Sequence, residues 1–384
     1  MDGGQPIKNG YLLLNDSNEI VEIGALDGEC ADTEFYNGIL CPGFTNAHCH
    51  VELSHLVGAF TQASGMSGFI NQINALRNTV DKEGRIKALE AQMDKMYREG
   101  VSAMADISNC DESFACKSKS PMYTRTFLEL FGSEPCDAEG VLEGGKDLAK
   151  VAAEYGIDGA ITPHSCYTMS PQLLSASAAA GLERGYISYH SQESQQEEEL
   201  IRNGSGAMYE NRVRNGMSTP PVTGGSSLEY FIGRLAEAGQ APYDEHILLV
   251  HNVCLGQGDI DAAKAVMKNV YWAVCPLSNM FIHNALPPID LMRANGLDIT
   301  VGTDSLSSND DLSMIAEIAC LHENFPSVPM GELLTWASLN GARFLSKEDI
   351  LGSIVSGKRP GIVLVRGLDK DGNVTKESTS ERII

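Results

Sequence analysis

The sequence predicts an α/β fold: a (β/α)8 barrel flanked by a small β-sandwich domain built from both chain ends. Three observations carry this. From about residue 39 onward, eight short runs rich in Ile, Val, Tyr and Ala alternate with longer amphipathic segments. Five of those runs deliver a histidine or an aspartate at their carboxyl end. The two ends of the chain, by contrast, hold strand-like stretches with no helical pattern between them.

In chain order, residues 7–40 contain Gly10-Tyr-Leu-Leu-Leu-Asn-Asp16 and Ile20-Val-Glu-Ile-Gly24, a hairpin-like pair. The barrel runs follow at 39–48, 101–107, 122–128, 159–164, 186–190, 247–251, 270–275 and 298–304. Short apolar runs bounded by turn residues read as buried strands. Between them, 86–98, 148–155, 171–184, 259–268 and 312–322 have the spacing of helices with one apolar face. Arg98-Glu-Gly100 and Arg184-Gly185 supply the glycine on which helices commonly stop. Repeated strand–helix units imply parallel strands with crossover helices, and eight of them imply closure into a barrel. Residues 351–368 return to short strands. The expected division is therefore 1–41 plus 350–384 for the small domain and 42–349 for the barrel.

Composition narrows the function. Lys plus Arg is 28 and Asp plus Glu is 51, a net charge of −23. Such a field repels phosphate backbones and anionic membrane surfaces, so nucleic acid and membrane are poor partners and a neutral or cationic small molecule fits better. Part of the charge lies in Gln195-Gln-Glu-Glu-Glu199, which reads as a solvated helix face. No apolar run approaches the roughly 18 residues of a membrane span, and Met1-Asp-Gly-Gly-Gln5 lacks the features of a signal peptide. The ten cysteines show no Cys-x-x-Cys and no closely spaced framework, which points to reduced thiols and a cytoplasmic setting. A homodimer is open, since large barrels often pair.

The polar strand ends carry the chemistry. In barrels of this kind the carboxyl ends of the strands form the reactive face. His48 and His50, at i and i+2 on one strand, point to the same side and can grip one metal ion. Alone, such a pair is weak, and two unrelated hydrogen-bonded histidines would look the same. His190 heads His190-Ser-Gln-Glu193, a ligand followed by a carboxylate on the adjoining loop that can shuttle a proton. His251 ends the apolar Ile-Leu-Leu-Val run, where a satisfied core histidine is the plain alternative. Asp304 follows a buried strand and needs a partner to offset its desolvation, for which a metal serves. His164 is open as ligand or substrate contact. Cys49, by strand alternation, points away from the histidine pair. His246 reads as structural or surface, and His55, His283 and His322 fall on loops or helices. Three imidazoles and a carboxylate suit zinc, or another divalent transition ion such as iron. An ion so held lowers the pKa of bound water towards neutrality.

Six collinear segments resemble the amidohydrolase superfamily, in its mononuclear cytosine-deaminase-like and chlorohydrolase-like branch. They are Pro42-Gly-Phe-Thr-Asn-Ala-His-Cys-His50, Pro163-His-Ser-Cys-Tyr-Thr168, His190-Ser-Gln-Glu193, Val250-His251, Cys275-Pro-Leu-Ser-Asn279 and Gly302-Thr-Asp-Ser-Leu-Ser-Ser-Asn309. The resemblance implies one metal ion held by His48, His50, His190 and Asp304. It implies that Glu193 protonates a ring nitrogen of the substrate, that His251 positions and polarises the hydroxide, and that Asp304 takes a proton from the attacking water. His164 looks like a substrate contact. The fourth strand ends in no lysine, so the bridge of the binuclear branch has no obvious source. Looser features are similar to aminodeoxyfutalosine deaminases and nearby nucleoside deaminases: His50-Val-Glu-Leu-Ser54, the Pro-Pro…Ser-Leu-Glu-Tyr stretch at 220–230, and Leu306-Ser-Ser-Asn309. Glu52 is a candidate contact for a polar substrate group. Family members usually begin with one more strand ahead of the segment matching Pro6-Ile-Lys-Asn-Gly10, and the sequence here starts after it.

The leading expectation is thus a hydrolytic deaminase releasing ammonia from an aminated N-heterocycle. Two alternatives stand: hydrolysis of another C–N or a C–halogen bond at the same site, or a non-catalytic metal-binding relative. The presence of Glu193 and of every ligand disfavours the last. Loops 55–75, 108–120 and 194–228 are expected to build the pocket and choose the substrate.

Overall fold

The structure is a computed structural model that describes residues 6–28 and 33–384. Residues 1–5 and 29–32, parts of the expected small domain, lie outside the described residues.

The eight expected runs are all strands, and they run parallel. β4 (Phe44–Cys49), β5 (Val101–Ser108), β6 (Tyr123–Leu130) and β7 (Asp158–Pro163) form one four-stranded sheet in that order. β8 (Tyr186–Ser191), β9 (Tyr243–His251), β10 (Met267–Val274) and β11 (Ile299–Val301) form the second. Backbone hydrogen bonds join the two at both seams. His190 N–H donates to the His164 carbonyl at 2.9 Å, and the N–H groups of Thr303 and Asp304 donate to the His48 carbonyl at 2.9 and 3.0 Å.

Alternate residues of the strands face one another. Ala103, Ala105, Ile107, Phe127, Ala160, Leu248, Val250, Ala273 and Cys275 pack into one buried cluster capped by Phe344 and Leu345. A second, larger cluster lies between the strands and the helices, among them Lys82–Arg98, Ala138–Glu154, Pro171–Glu183, Ser227–Ala238 and Met314–Asn324.

Expected boundaries shift in places. The helix expected from 148 begins at Ala138, because Gly140, Gly144 and Gly145 mask its amphipathic spacing. β11 stops at Val301, three residues short of the expected end, because Asp304 adopts a left-handed backbone (φ 56°). The three expected pocket loops are partly helical, containing Gly65–Leu76, Phe114–Lys117, Gln195–Asn203 and Gly206–Arg214.

The chain ends form two small sheets. β1 (Gly10–Leu14) and β2 (Ile20–Ala25) are the expected antiparallel hairpin. β3 (Ile39–Pro42), β12 (Ile362–Arg366) and β13 (Thr379–Arg382) make a three-stranded antiparallel sheet centred on β12. Ile20, Ile354 and Ile362, with Leu12, Leu14, Leu40 and Ile384, share one apolar cluster across them. Gly43 carries the chain from β3 directly into β4. A Cβ there would meet Ser102 Oγ at 1.9 Å and the Pro360 carbonyl at 2.6 Å, so only glycine passes.

Candidate active site

Every strand-end residue singled out from the sequence converges on one point. His48 and His50 lie on and just after β4, and their Nε2 atoms stand 3.1 Å apart. The ligand-capable atoms of His48, His50 and His190 all fall within 4.8 Å of one another. The His48 ring sits 4.9 Å from that of His50, 4.8 Å from His190 and 5.9 Å from His251, centroid to centroid. Asp304 Oδ1 is 3.6 Å from His50 Nε2. Its other oxygen accepts from Ser278 Oγ at 2.6 Å and Ser308 Oγ at 3.1 Å, which leaves Oδ1 turned to the histidines.

The donor set fits a divalent cation. Burial lowers the pKa of His48, His50, His164 and His190, so all four are neutral imidazoles with lone pairs to offer. Two neutral Nε2 atoms aimed at each other can share at most one proton, and a cation between them satisfies both. His48 Nδ1 is buried with no hydrogen-bond partner among the described residues.

Glu193 stands beside this cluster. Tyr167 O–H donates to its Oε2 at 2.7 Å, while Oε1 lies 3.6 Å from His251 Nε2 and 3.9 Å from His283 Nε2. Burial alone would raise the Glu193 pKa; the facing His251 and His283 outweigh it and hold the carboxyl below its ordinary range. His251 receives the Asn279 side-chain N–H on Nδ1 at 3.1 Å, which puts the ring proton on Nε2, towards Glu193. The segment Cys275–Asn279 thereby acquires its meaning. Ser278 holds Asp304 and Asn279 sets the tautomer of His251.

The backbone is strained where this machinery sits. His251 (φ 76°), Asn252 (φ 56°), Gln192 (φ 49°) and Asp304 (φ 56°) all occupy the left-handed region without being glycine. Such conformations cost roughly 1–3 kcal/mol each and persist where the surroundings over-determine them.

His164 stacks on His190 with ring centroids 4.4 Å apart and is the half-buried member of the cluster, open towards the mouth. Cys49 points away from the histidines, its thiol donating to Asp106 Oδ1 at 3.4 Å, as strand alternation required. His246 is structural, with Nδ1 2.7 Å from the Phe344 carbonyl at the far end of the strands.

Glu52, the candidate contact for a polar substrate group, has a carboxylate that accepts the backbone N–H groups of Asn109 (2.9 Å) and Cys110 (3.3 Å), which ties it to the loop after β5. One reading needs correction. The acidic run 195–199 was expected to be solvated, but Glu197 is 0% and Glu198 7% exposed. Glu197 turns inward to the backbone N–H groups of the loop before the helix, and Glu198 to the Gln192 side chain and Ser227.

The sequence reading missed other groups. Glu129, at the end of β6, is buried with Oε1 unpartnered and 3.5 Å from His190 Nδ1, and Asn109 Nδ2 donates to its Oε2 at 3.2 Å. With His164 and His190 it forms a second group of ligand-capable atoms within 4.8 Å. Asp106 and Lys117 are a fully buried ion pair at 2.5 Å, and Asp106 also accepts the Val51 N–H just past His50. His283 reaches the site from the last turn of the helix Pro276–His283.

Known proteins are similar to this chain over most of its length. An adenosine deaminase of Helicobacter pylori is 26% identical over 330 residues, 85% of this chain and 78% of that protein. A 5-methylthioadenosine/S-adenosylhomocysteine deaminase of Moorella thermoacetica is 27% identical over 381 residues, 94% of this chain and 82% of its own. Among solved structures, the aminofutalosine deaminase of Helicobacter pylori, crystallised with methylthio-coformycin, superposes with a TM-score of 0.78 at 22% identity, covering 98% of this chain and 96% of that one. The pattern of the amidohydrolase family matches residues 39–377, and with that span of the sequence inside it, the chain belongs to the amidohydrolase family.

Proposed function

We propose that this protein is a metal-dependent hydrolytic deaminase that releases ammonia from an aminated N-heterocycle of the purine nucleoside kind, with aminodeoxyfutalosine among the substrates to test. Family membership together with relatives named as deaminases supports a hydrolase of C–N bonds. The observation that carries the finer reading is Glu193, a buried ionised carboxylate set beside a cluster of three imidazoles and Asp304. Ammonia leaves only when protonated, and a carboxylate in that place can move the proton.

In this reading His48, His50, His190 and Asp304 hold one divalent ion. Zinc suits the donor set, with iron as the alternative, and an adenosine deaminase of Xanthomonas campestris with the same fold was crystallised with bound zinc (TM-score 0.68, 19% identity). When bound, the ion acidifies water and so supplies a nucleophile at neutral pH. The remaining steps belong to the side chains. His251 directs its Nε2–H at the incoming oxygen. Of the attacking water's two protons, Glu193 Oε1 takes one and hands it to the ring nitrogen, its Oε2 being anchored by Tyr167; Asp304 Oδ1 takes the other and passes it to the amino group, which departs as ammonia. His164, half-buried and stacked on His190, meets the substrate. We further read the two parallel sheets as one closed (β/α)8 barrel, 42–349, supported by the hydrogen-bonded seams at His164–His190 and His48–Asp304. The terminal sheets, 1–41 plus 350–384, are read as one small β-sandwich, supported by their shared apolar cluster.

The test is ammonia release from the zinc-loaded protein across adenosine, 5′-deoxyadenosine, 5′-methylthioadenosine, aminodeoxyfutalosine, guanine and a chlorinated triazine. Turnover of one or more of the adenine nucleosides is expected. Halide release from the triazine with no ammonia from any other compound would instead favour the C–halogen alternative.

A further inference from the structure

The acidic run after Glu193 contributes a group to the site that neither the strand-end pattern nor the metal cluster accounts for. β8 ends at Ser191 and the next helix begins at Gln195, so residues 192–194 have no ladder and no helical turn to hold them. Gln192 is left-handed at φ 49°, which a residue with a side chain adopts only under constraint. Glu197 supplies the constraint. It is fully buried, its Oε1 accepting the Gln192 backbone N–H at 3.0 Å and its Oε2 the Glu193 backbone N–H at 2.8 Å. One carboxylate thus grips two consecutive peptide groups, the second belonging to the proton-shuttling residue itself.

The same side chain is keyed to the neighbouring loop, the one after β7. Cys166 Sγ–H donates to Glu197 Oε1 at 3.4 Å, and the next residue, Tyr167, donates its hydroxyl to Glu193 Oε2 at 2.7 Å. Two neighbouring residues of one loop therefore fasten two glutamates of the other. Glu198 completes the hold on the turn, accepting from Gln192 Nε2 at 3.3 Å and from Ser227 Oγ at 2.7 Å. A helix that needed only an N-cap has one already, in the Ser194 hydroxyl, which accepts from the Glu197 N–H at 3.2 Å. The Glu197 carboxylate is additional to that cap and is directed at the catalytic turn.

We propose that Glu197 is a positioning residue for Glu193, fixing through its two backbone contacts the point from which the Glu193 carboxylate faces His251 and the substrate. This rests on the deaminase reading, because it assigns Glu193 the proton transfer. Glu197→Gln is the direct probe. It keeps the shape but turns an NH2 group towards one of the two backbone N–H groups, so one half of the grip is lost.

With whichever nucleoside the wild type deaminates best, Glu197→Gln should lower kcat about 10- to 100-fold while KM stays within about threefold and zinc stays near one per chain. Added to Glu193→Gln, it should change the residual rate by less than about twofold, since a residue acting through Glu193 has nothing left to position. If Glu197→Gln does not fold, Glu197→Asp, whose shorter arm reaches only one of the two peptides, replaces it in both comparisons. Full kcat in the variant, a loss confined to KM or to metal content, or full additivity with Glu193→Gln overturns the inference while leaving the deaminase reading intact. A wild type that deaminates nothing in the panel overturns both together.

Discussion

Among the buried carboxylates around the site, some keep an oxygen facing the histidines, and others have their oxygens engaged by neighbouring backbone and side-chain donors. Glu193 and Asp304 belong to the first kind. Asp106, Glu197 and Glu317 belong to the second, each bracing a loop that carries a site residue. Glu317, on the helix Met314–Asn324, accepts the Leu277 N–H at 2.9 Å and the Asn309 amide at 2.8 Å. Its burial outweighs those bonds and pushes the carboxyl well above its ordinary value of 4.5, with nearby Asp304 adding to the rise. A folded-state pKa above the unfolded one means that the native state binds the extra proton, so stability falls as pH rises through the window above 4.5. Glu317→Gln cannot titrate. Its melting temperature should therefore decline less between pH 5 and 7.5 than that of the wild type, whatever constant offset the lost hydrogen bond adds. Parallel melting curves over that range would show that Glu317 keeps no excess proton.

At the scale of elements, the site lies on the seams between the two sheets. His164 and His190 make one seam and His48 with Asp304 the other, so the contacts that join the sheets also aim the ligands. Gly302 shows how tight this is. A Cβ there would stand 2.7 Å from the His48 carbonyl oxygen, 2.8 Å from its Cβ and 2.9 Å from its nitrogen. Gly302→Ala must push β11 away from β4. It should cost about 1–3 kcal/mol of stability, as overpacking does, and should lower bound zinc well below one per chain, measured by denaturant unfolding and elemental analysis. Full metal content in a destabilised variant would mean that the ligand geometry does not depend on this seam.

The strand-end pattern made most of the site readable, because inward side chains alternate and the last inward position of each strand reaches the rim. That rule delivered His48, His50, His164, His190, His251 and Asp304. Extended by one inward step, it would also have reached Asn109 beyond Ala103, Ala105 and Ile107, and Glu129 beyond Phe127. Both were passed over because the apolar runs were ended at Ile107 and Leu128, whereas β6 continues to Leu130. Helix-borne groups were harder to see. His283, Ser278 and Asn279 reach the site through the orientation of one helix, which local spacing does not encode. Charge density misled at Glu197, since three adjacent glutamates read as solvent-facing until the unpaired peptides of the preceding turn are known.

For the molecule as a whole, the two ends of the chain meet below the parallel strands. Arg382, near the carboxyl end, donates to the carbonyls of Tyr97 and Val101 beside the start of β5, fastening the terminal sheet to the strands. No helix among the described residues is long and apolar enough to cross a membrane. The protein carries a charge of −23, and the site's buried imidazoles His48 and His164 are neutral, which suits a substrate without strong negative charge. The central claim joins one metal ion to one proton-moving carboxylate, and the two can be separated. Glu193→Gln, loaded with zinc beside the wild type, should retain about one ion per chain by elemental analysis while ammonia release from the best nucleoside falls by about 10²- to 10⁴-fold. Undiminished ammonia release by Glu193→Gln, or two tightly held ions per chain in the wild type, would contradict the account.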